Sequence, residues 1–388
     1  MTRPILRLAS AGFVATAVAF GPARMGFGLF LPAFRDEFAL SSTRAGLIAS
    51  GGFMAFLVAL PLAAWLGMRA GPRLPVLLGA LSACLGFLAV TAATDAVMLA
   101  AGVALAGASA GFCWTPFNDA AERVIPIEAR AGALSTVSTG TTFGVTVAAA
   151  LALAVTLEAM GWRTVWGVFG LIALIAAVMA AMSLPAGRIG PVPGSADALR
   201  LPPDGVPALY AAALCFGATN AIYVSFAPDH VVAAGGLAGL PAAASATVIF
   251  LGYGLCGLVG PAAGRIEGRI GLTWLVRTIF MAFTGSLVLV ALAPTSWGAV
   301  VMSAGLHGAA VMTFSAVLSF WTLRLFPGRG TIGFTSALLA AAAGNVAGPS
   351  VAGLLADAAD TATAFLVAAV LPVAVAGLFA QPQSWRHP

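Results

Sequence analysis

The chain is built from apolar runs of about twenty residues, such as Leu74 to Thr91 and Ala362 to Gln381, separated by short polar breaks. As an α-helix, a run of that length is about 30 Å long, the thickness of a bilayer's hydrocarbon core. In lipid every backbone N–H and C=O must be satisfied within the spanning structure, which leaves helices and closed barrels. Barrel strands are about ten residues long and alternate apolar with polar positions. These runs are longer and do not alternate. With 61% hydrophobic and only 8% charged residues, the chain also lacks the charge that a water-facing exterior needs. The expected class is an all-α membrane protein.

Breaking the runs at charges, Pro and Gly clusters gives twelve segments. The first six lie near 9–33, 44–66, 74–93, 96–120, 134–157 and 163–184, and the last six near 207–229, 243–264, 273–293, 298–322, 333–355 and 362–381. Most connections are tight. The exception, Pro185 to Pro207, is rich in proline and carries Arg188, Asp197, Arg200 and Asp204, the composition of a solvated linker. The expected organisation is therefore a six-helix half over 1–184, a linker over 185–206 and a second six-helix half over 207–388.

The halves repeat. Arg123-Val-Ile-Pro126 recurs as Arg324-Leu-Phe-Pro327, and Ser135 recurs as Ser336 at the same offset of 201. Arg69-Ala-Gly71-Pro-Arg73 recurs as Arg269-Ile-Gly271, and the spacing of eight from Arg24 to Pro32 recurs from Asn220 to Pro228. Offsets this similar at three places point to a parallel duplication of six helices. Every basic residue is arginine. With both termini inside, fourteen of the eighteen fall on the inner side, Arg35, Arg44 and Arg163 fall outside, and Arg24 stays in the membrane. That asymmetry places both termini in the cytoplasm. Arg3 and Arg7 lead into an apolar stretch too long for a cleaved signal, so the first helix is expected to be retained.

Several functions are excluded by the same reading. The net charge of +5 comes from arginines scattered singly between apolar runs, so no basic face for nucleic acid is expected. Cys84, Cys113, Cys215 and Cys256 are far apart within apolar runs, without zinc or disulfide spacing. No metal or other cofactor is expected. A chain without lysine holds no GxxxxGK[ST] loop and hence no ATPase of that type. Nothing in the sequence suggests an enzyme.

Arg24 is the strongest candidate for chemistry. Eleven residues before Arg35, it lies about 16 Å below the outer boundary, near the midplane. A guanidinium there costs at least about 2.5 kcal/mol to insert and should face a wet cavity or a partner. Its fork of donors suits a carboxylate or phosphate on a solute; the structural alternative is a buried ion pair. His307, mid-helix, is a candidate for solute contact and for carrying a coupled proton, or else a neutral packing residue. Asp229, with His230, ends the seventh segment and is the other proton candidate, or an interface marker. Asn220, Tyr223, Trp114, Asn118 and Asn345 are polar or amphipathic groups that either line a cavity or bridge helices. Asp119 suits an ion pair with Arg123 or a latch to Arg69 or Arg73. Glu267 and Arg269 occupy the equivalent inner loop of the second half, and these loop charges form the candidate gate.

The stretches Ala64–Arg73 and Gly264–Gly271 resemble the loop signature of the major facilitator superfamily, with Met68 and Gly268 where that signature has Asp and Glu267 one residue away. Gly161-Trp162-Arg163 and Gly344-Asn-Val-Ala-Gly348-Pro349 are similar to further superfamily features. Arg24 with Leu31-Pro32, and Tyr223-Val-Ser-Phe226, resemble the YbfB-type branch of bacterial transporters. The resemblance implies a twelve-helix fold and secondary active transport across the inner membrane by alternating access. Val103 stands where proton-driven drug exporters have arginine, and the helix around Gly140 and Gly144 lacks their Gly-Pro pair. With Arg24, this favours a small organic anion as solute, with protons as the coupling ion and a monomeric protein in lipid. The alternative is an efflux pump for amphiphilic drugs or other toxic compounds.

Overall fold

The structure, a computed structural model, describes residues 3–157, 160–187, 205–326 and 330–379, with some side chains within helices outside the description. All its regular elements are helical. The first part of the chain forms α1 (Arg3–Phe20), α2 (Pro22–Leu29), α3 (Leu31–Phe38), α4 (Ser42–Ala70), α5 (Arg73–Thr91), α6 (Ala96–Val124), α7 (Ile127–Thr156) and α8 (Trp162–Ser183). The second forms α9 (Val206–Ala233), α10 (Ser245–Gly257), α11 (Ala263–Ile270), α12 (Leu272–Leu292), α13 (Trp297–Leu325), α14 (Gly330–Ala358) and α15 (Thr361–Leu378). Eleven spans among the described residues are long and apolar enough to cross a membrane, and the apolar stretch Ala242–Gly257 is shorter.

Two expected segments are not single helices. The segment 9–33 breaks between α1 and α2 and again between α2 and α3, where Pro22 and Pro32 stand in the first turns of the new helices. Proline has no N–H to donate and its ring crowds the preceding turn, so the axis bends there. Hydrogen bonds still cross the bends: the Met25 N–H donates to the Gly21 carbonyl at 2.8 Å and the Phe30 N–H to that of Gly26 at 3.0 Å. The segment 243–264 breaks after Gly257, where Gly260-Pro261-Ala262 forms a short 3₁₀ turn before the charged helix α11.

By contacts the chain divides into two units, Met1–Leu40 with Leu47–Pro191, and Val192–Pro388 with the short stretch Ser41–Gly46. The expected linker lies almost entirely outside the described residues. Each unit packs its helices in the same pairs. In the first, α1 lies on α7, α5 on α6 and α5 on α8; in the second, α9 lies on α14, α12 on α13 and α12 on α15.

Small residues make these pairings close, as expected where the surrounding lipid is as apolar as the side chains. A methyl group at Gly140 would overlap the Phe13 carbonyl, and one at Gly144 that of Ala17, so α1 and α7 touch backbone to backbone. In the second unit, methyl groups at Gly217 and Gly344 would overlap the carbonyls of Ala341 and Leu214. The α4–α6 contact in the first unit, at Gly107 and Gly111 against Gly52 and Phe56, has its counterpart in α10–α13, where Gly308 meets the Tyr253 carbonyl.

Candidate functional site

The first unit presents Arg24. The bends around α2 place it half-buried on a short helix whose other residues are buried. Its guanidinium carbon lies 5.7 Å from the centre of the Phe20 ring, 5.5 Å from Phe53 and 4.9 Å from Phe56. Three ring faces share the cation, each an attraction of about 0.5–2 kcal/mol depending on desolvation. This offsets part of the cost of holding the charge in a membrane span.

Near the ends of its helices the first unit closes with an aromatic cluster. Phe34 meets Trp162 edge-on at 5.1 Å and Trp166 at 5.8 Å. Next to it the Trp162 indole N–H donates to Glu37 at 2.8 Å, Arg163 pairs with the same carboxylate, and Arg163 also donates to the Ala93 carbonyl at 2.9 Å. The hydrogen bond from Arg163 holds the Glu37 carboxyl below the usual carboxylate range, helped by Trp162 and opposed by desolvation.

The second unit presents a buried polar cluster without a formal charge. His307 on α13 is completely buried, stacked on Tyr223 of α9 with ring centres 3.8 Å apart and planes within 10°. Phe283 closes on it edge-to-face at 5.0 Å. The Ser303 hydroxyl donates to the Ser286 carbonyl at 2.7 Å, so the Tyr223 hydroxyl, 3.0 Å away, donates to Ser303. The Ser286 hydroxyl lies 3.0 Å from His307 Nδ1 and 3.3 Å from Ser303 Oγ. Whichever way its proton turns, it serves Nδ1 or Ser303, and His307 Nε2 has no hydrogen-bond partner among the described residues. A helical turn away on α9, Asn220 accepts from the Tyr253 hydroxyl at 3.1 Å.

The structure thus brings His307, Tyr223 and Asn220 of the candidate residues into one neighbourhood, through Tyr253, which also stacks on His307 at 6.1 Å. Asn345 is buried on α14, its Oδ1 without a partner among the described residues. Asp229 is buried near the end of α9. Trp114, Asn118 and Asp119 sit on α6, but their side chains lie outside the described residues.

Of the loop charges, Arg69 is exposed and lies over the Trp65 ring, and Arg73 is half-buried at the start of α5. Glu267 does not face Arg269. It accepts a two-pronged pair of bonds from Arg324, at 2.8 and 3.1 Å, which raises the Arg324 pKa further, while Arg269 is exposed in the last turn of α11. Sequence reasoning missed the three phenylalanines around Arg24 and missed Tyr253, Ser286 and Ser303. The serines carried a weak signal, being polar in otherwise apolar helices; the phenylalanines carried none.

A sequence profile described as the Major Facilitator Superfamily matches residues 12–327. No curated protein matches the chain in sequence. Among solved structures, a mutant of the nucleoside transporter NupG is similar at 12% identity with a TM-score of 0.77, covering 97% of this chain and 99% of that one. A bacterial homologue of the human lysosomal transporter Spinster, inward-facing and unoccupied, is similar at 14% identity with a TM-score of 0.75, covering 98% and 97%.

Proposed function

The chain belongs to the Major Facilitator Superfamily, and from that premise we propose that it is a secondary active transporter of a small organic anion, working by alternating access and coupled to protons. We place it in a bacterial inner membrane, monomeric, with both termini cytoplasmic, and in the YbfB-type branch on Arg24, Leu31-Pro32 and Tyr223–Phe226. One observation carries the solute class: a guanidinium, half-buried in a membrane span, with three phenyl rings within 5.7 Å of it. The N–H edge of such a group is suited to a carboxylate or phosphate. The cluster of Asn220, Tyr223 and His307 supplies neutral donors and acceptors, and Asn345, Trp114 and Asn118 extend the polar set. The coupled proton is assigned to His307, with Asp229 as the second candidate. Asp119, Arg69, Arg73, Glu267 and Arg269 are assigned to inner-side gating.

The test is a thermal-shift screen of the purified protein against carboxylates, phosphates, nucleosides and organic cations, since a ligand stabilises the native state by mass action. The expected hit is an anion. Arg24→Lys keeps the charge but loses the planar fork, and it should weaken that hit by about 1–3 kcal/mol, the scale of a charge-assisted hydrogen bond. Arg24→Ala should abolish the shift while leaving a folded protein. Stabilisation by a nucleoside or a cation alone sinks the anion reading. Collapse of thermal stability in Arg24→Ala makes Arg24 a structural ion-pair partner instead.

A further inference from the structure

Two arginines away from Arg24, the gating candidate Arg69 and Arg277, share an arrangement that solute binding does not use. On α4, Trp65 and Arg69 lie four residues apart, with the guanidinium carbon 4.3 Å from the indole centre. On α12, Trp274 and Arg277 lie three apart, at 4.5 Å. Both indoles are exposed, Trp65 at 43% and Trp274 at 56%. Arg163 and Arg324 each hold a glutamate, whereas neither Arg69 nor Arg277 has an ion pair or hydrogen bond among the described residues. The nearest acid in sequence to Arg277, Glu267, is occupied by Arg324.

A guanidinium held over an indole by cation–π attraction keeps its N–H donors for a second partner, and a phosphate suits them. Each pair also sits where an apolar exposed face ends and a cationic loop begins. Leu62 and Met68 are exposed beside Trp65, with Arg73 beyond; Ile270 is exposed before Trp274, with Arg265 and Arg269 preceding it. A free anion would use the guanidinium and leave the indole idle. An amphiphile with a phosphate head and an acyl tail uses both.

We propose that Trp65–Arg69 and Trp274–Arg277 are binding sites for anionic phospholipid, one on each unit, with the headgroup phosphodiester on the guanidinium and the acyl chain along the exposed apolar face. A net-negative headgroup such as phosphatidylglycerol satisfies the arginine, while phosphatidylcholine brings its own ammonium to compete for the phosphate. The assignment is independent of what Arg24 binds.

The test is native mass spectrometry of the full-length protein in detergent with phosphatidylglycerol and phosphatidylcholine added at equal concentration. The wild type should retain phosphatidylglycerol preferentially. Arg69→Gln and Arg277→Gln should each lower that preference about fivefold, the worth of one basic residue at an anionic surface. Trp65→Leu, which keeps the charge and an apolar side chain, should also lower it. Arg44→Gln removes the same charge from the exposed opposite end of α4 and should leave the preference unchanged. Because the residues replaced are exposed or at helix ends, each variant should elute as wild type on gel filtration. Equal retention of the two lipids, an Arg44→Gln effect as large as that of Arg69→Gln, or displacement of the lipid by equimolar glycerol phosphate would each overturn the proposal.

Discussion

His307 shows how one membrane residue can be fully packed and still chemically open. Its ring faces are covered by Tyr223 and Phe283 and its Nδ1 is served by Ser286, but Nε2 has no partner among the described residues. In the tautomer whose Nδ1–H donates to Ser286, Nε2 is a bare acceptor. A proton arriving there makes it a donor and adds a charge to a neutral cluster, which must then rearrange or admit water. That is the property required of a coupling residue. His307→Gln keeps a hydrogen-bonding side chain but cannot be charged in this range. Transport driven by a pH gradient should then lose its pH dependence, while equilibrium exchange of labelled solute continues near the wild-type rate. Unchanged pH dependence would return His307 to packing and move the assignment to Asp229. At this scale the sequence was partly legible. Arg24 and His307 stand out because charge or titratable groups are costly in an apolar segment. Phe20, Phe53 and Phe56 do not stand out, because phenylalanine is common in such helices and only the fold gathers three of them around one cation.

At the scale of elements, length and hydropathy are enough to count spans, because the bilayer sets one thickness for all of them. They are blind to shape within a span: the bends around α2 and the break after Gly257 depend on prolines whose neighbours remain as apolar as before. Pairing was legible only as glycines of unknown direction, which the structure aims at facing backbones. Gly217 on α9 is the sharpest case, since a methyl group there would overlap the Ala341 carbonyl and crowd the Asn345 N–H. Backbone cannot give way as a side chain can, so Gly217→Ala should push α9 from α14 and cost about 1–3 kcal/mol, the range for overpacking a close contact. Gly298→Ala faces open space on α13 and should be neutral or slightly stabilising, because alanine is the better helix former. Thermal unfolding in one detergent compares the two. Equal midpoints would show that the α9–α14 contact is looser than its geometry.

At the scale of the molecule, duplication and orientation test each other. Repeated pairings, α1 with α7 and α9 with α14, or α5 with α8 and α12 with α15, are what a parallel repeat of six spans produces. An even number of spans per unit would return the chain to the side where it began, so the proposed repeat puts both termini and the central linker on one side. On the arginine asymmetry, the proposed side is the cytoplasm. Single cysteines can check both statements. Cys84, Cys113 and Cys215 are buried and Cys256 is exposed, so a Cys256→Ser background leaves little to label. In that background Ala196→Cys, in the linker, should react with a membrane-impermeant maleimide only in inverted vesicles. Ala234→Cys, exposed just past the end of α9, should react only in intact cells. The connection between α9 and α10 holds tighter turns nearby, but Gly235, Gly236 and Gly239 have positive φ and would be strained by any side chain. Both cysteines labelling from the same side would break the repeat's parity, because α9 alone separates them. Labelling from opposite sides in the reverse sense would keep the parity and overturn only the orientation, and it would move the two Trp–Arg pairs to the other face of the membrane with it.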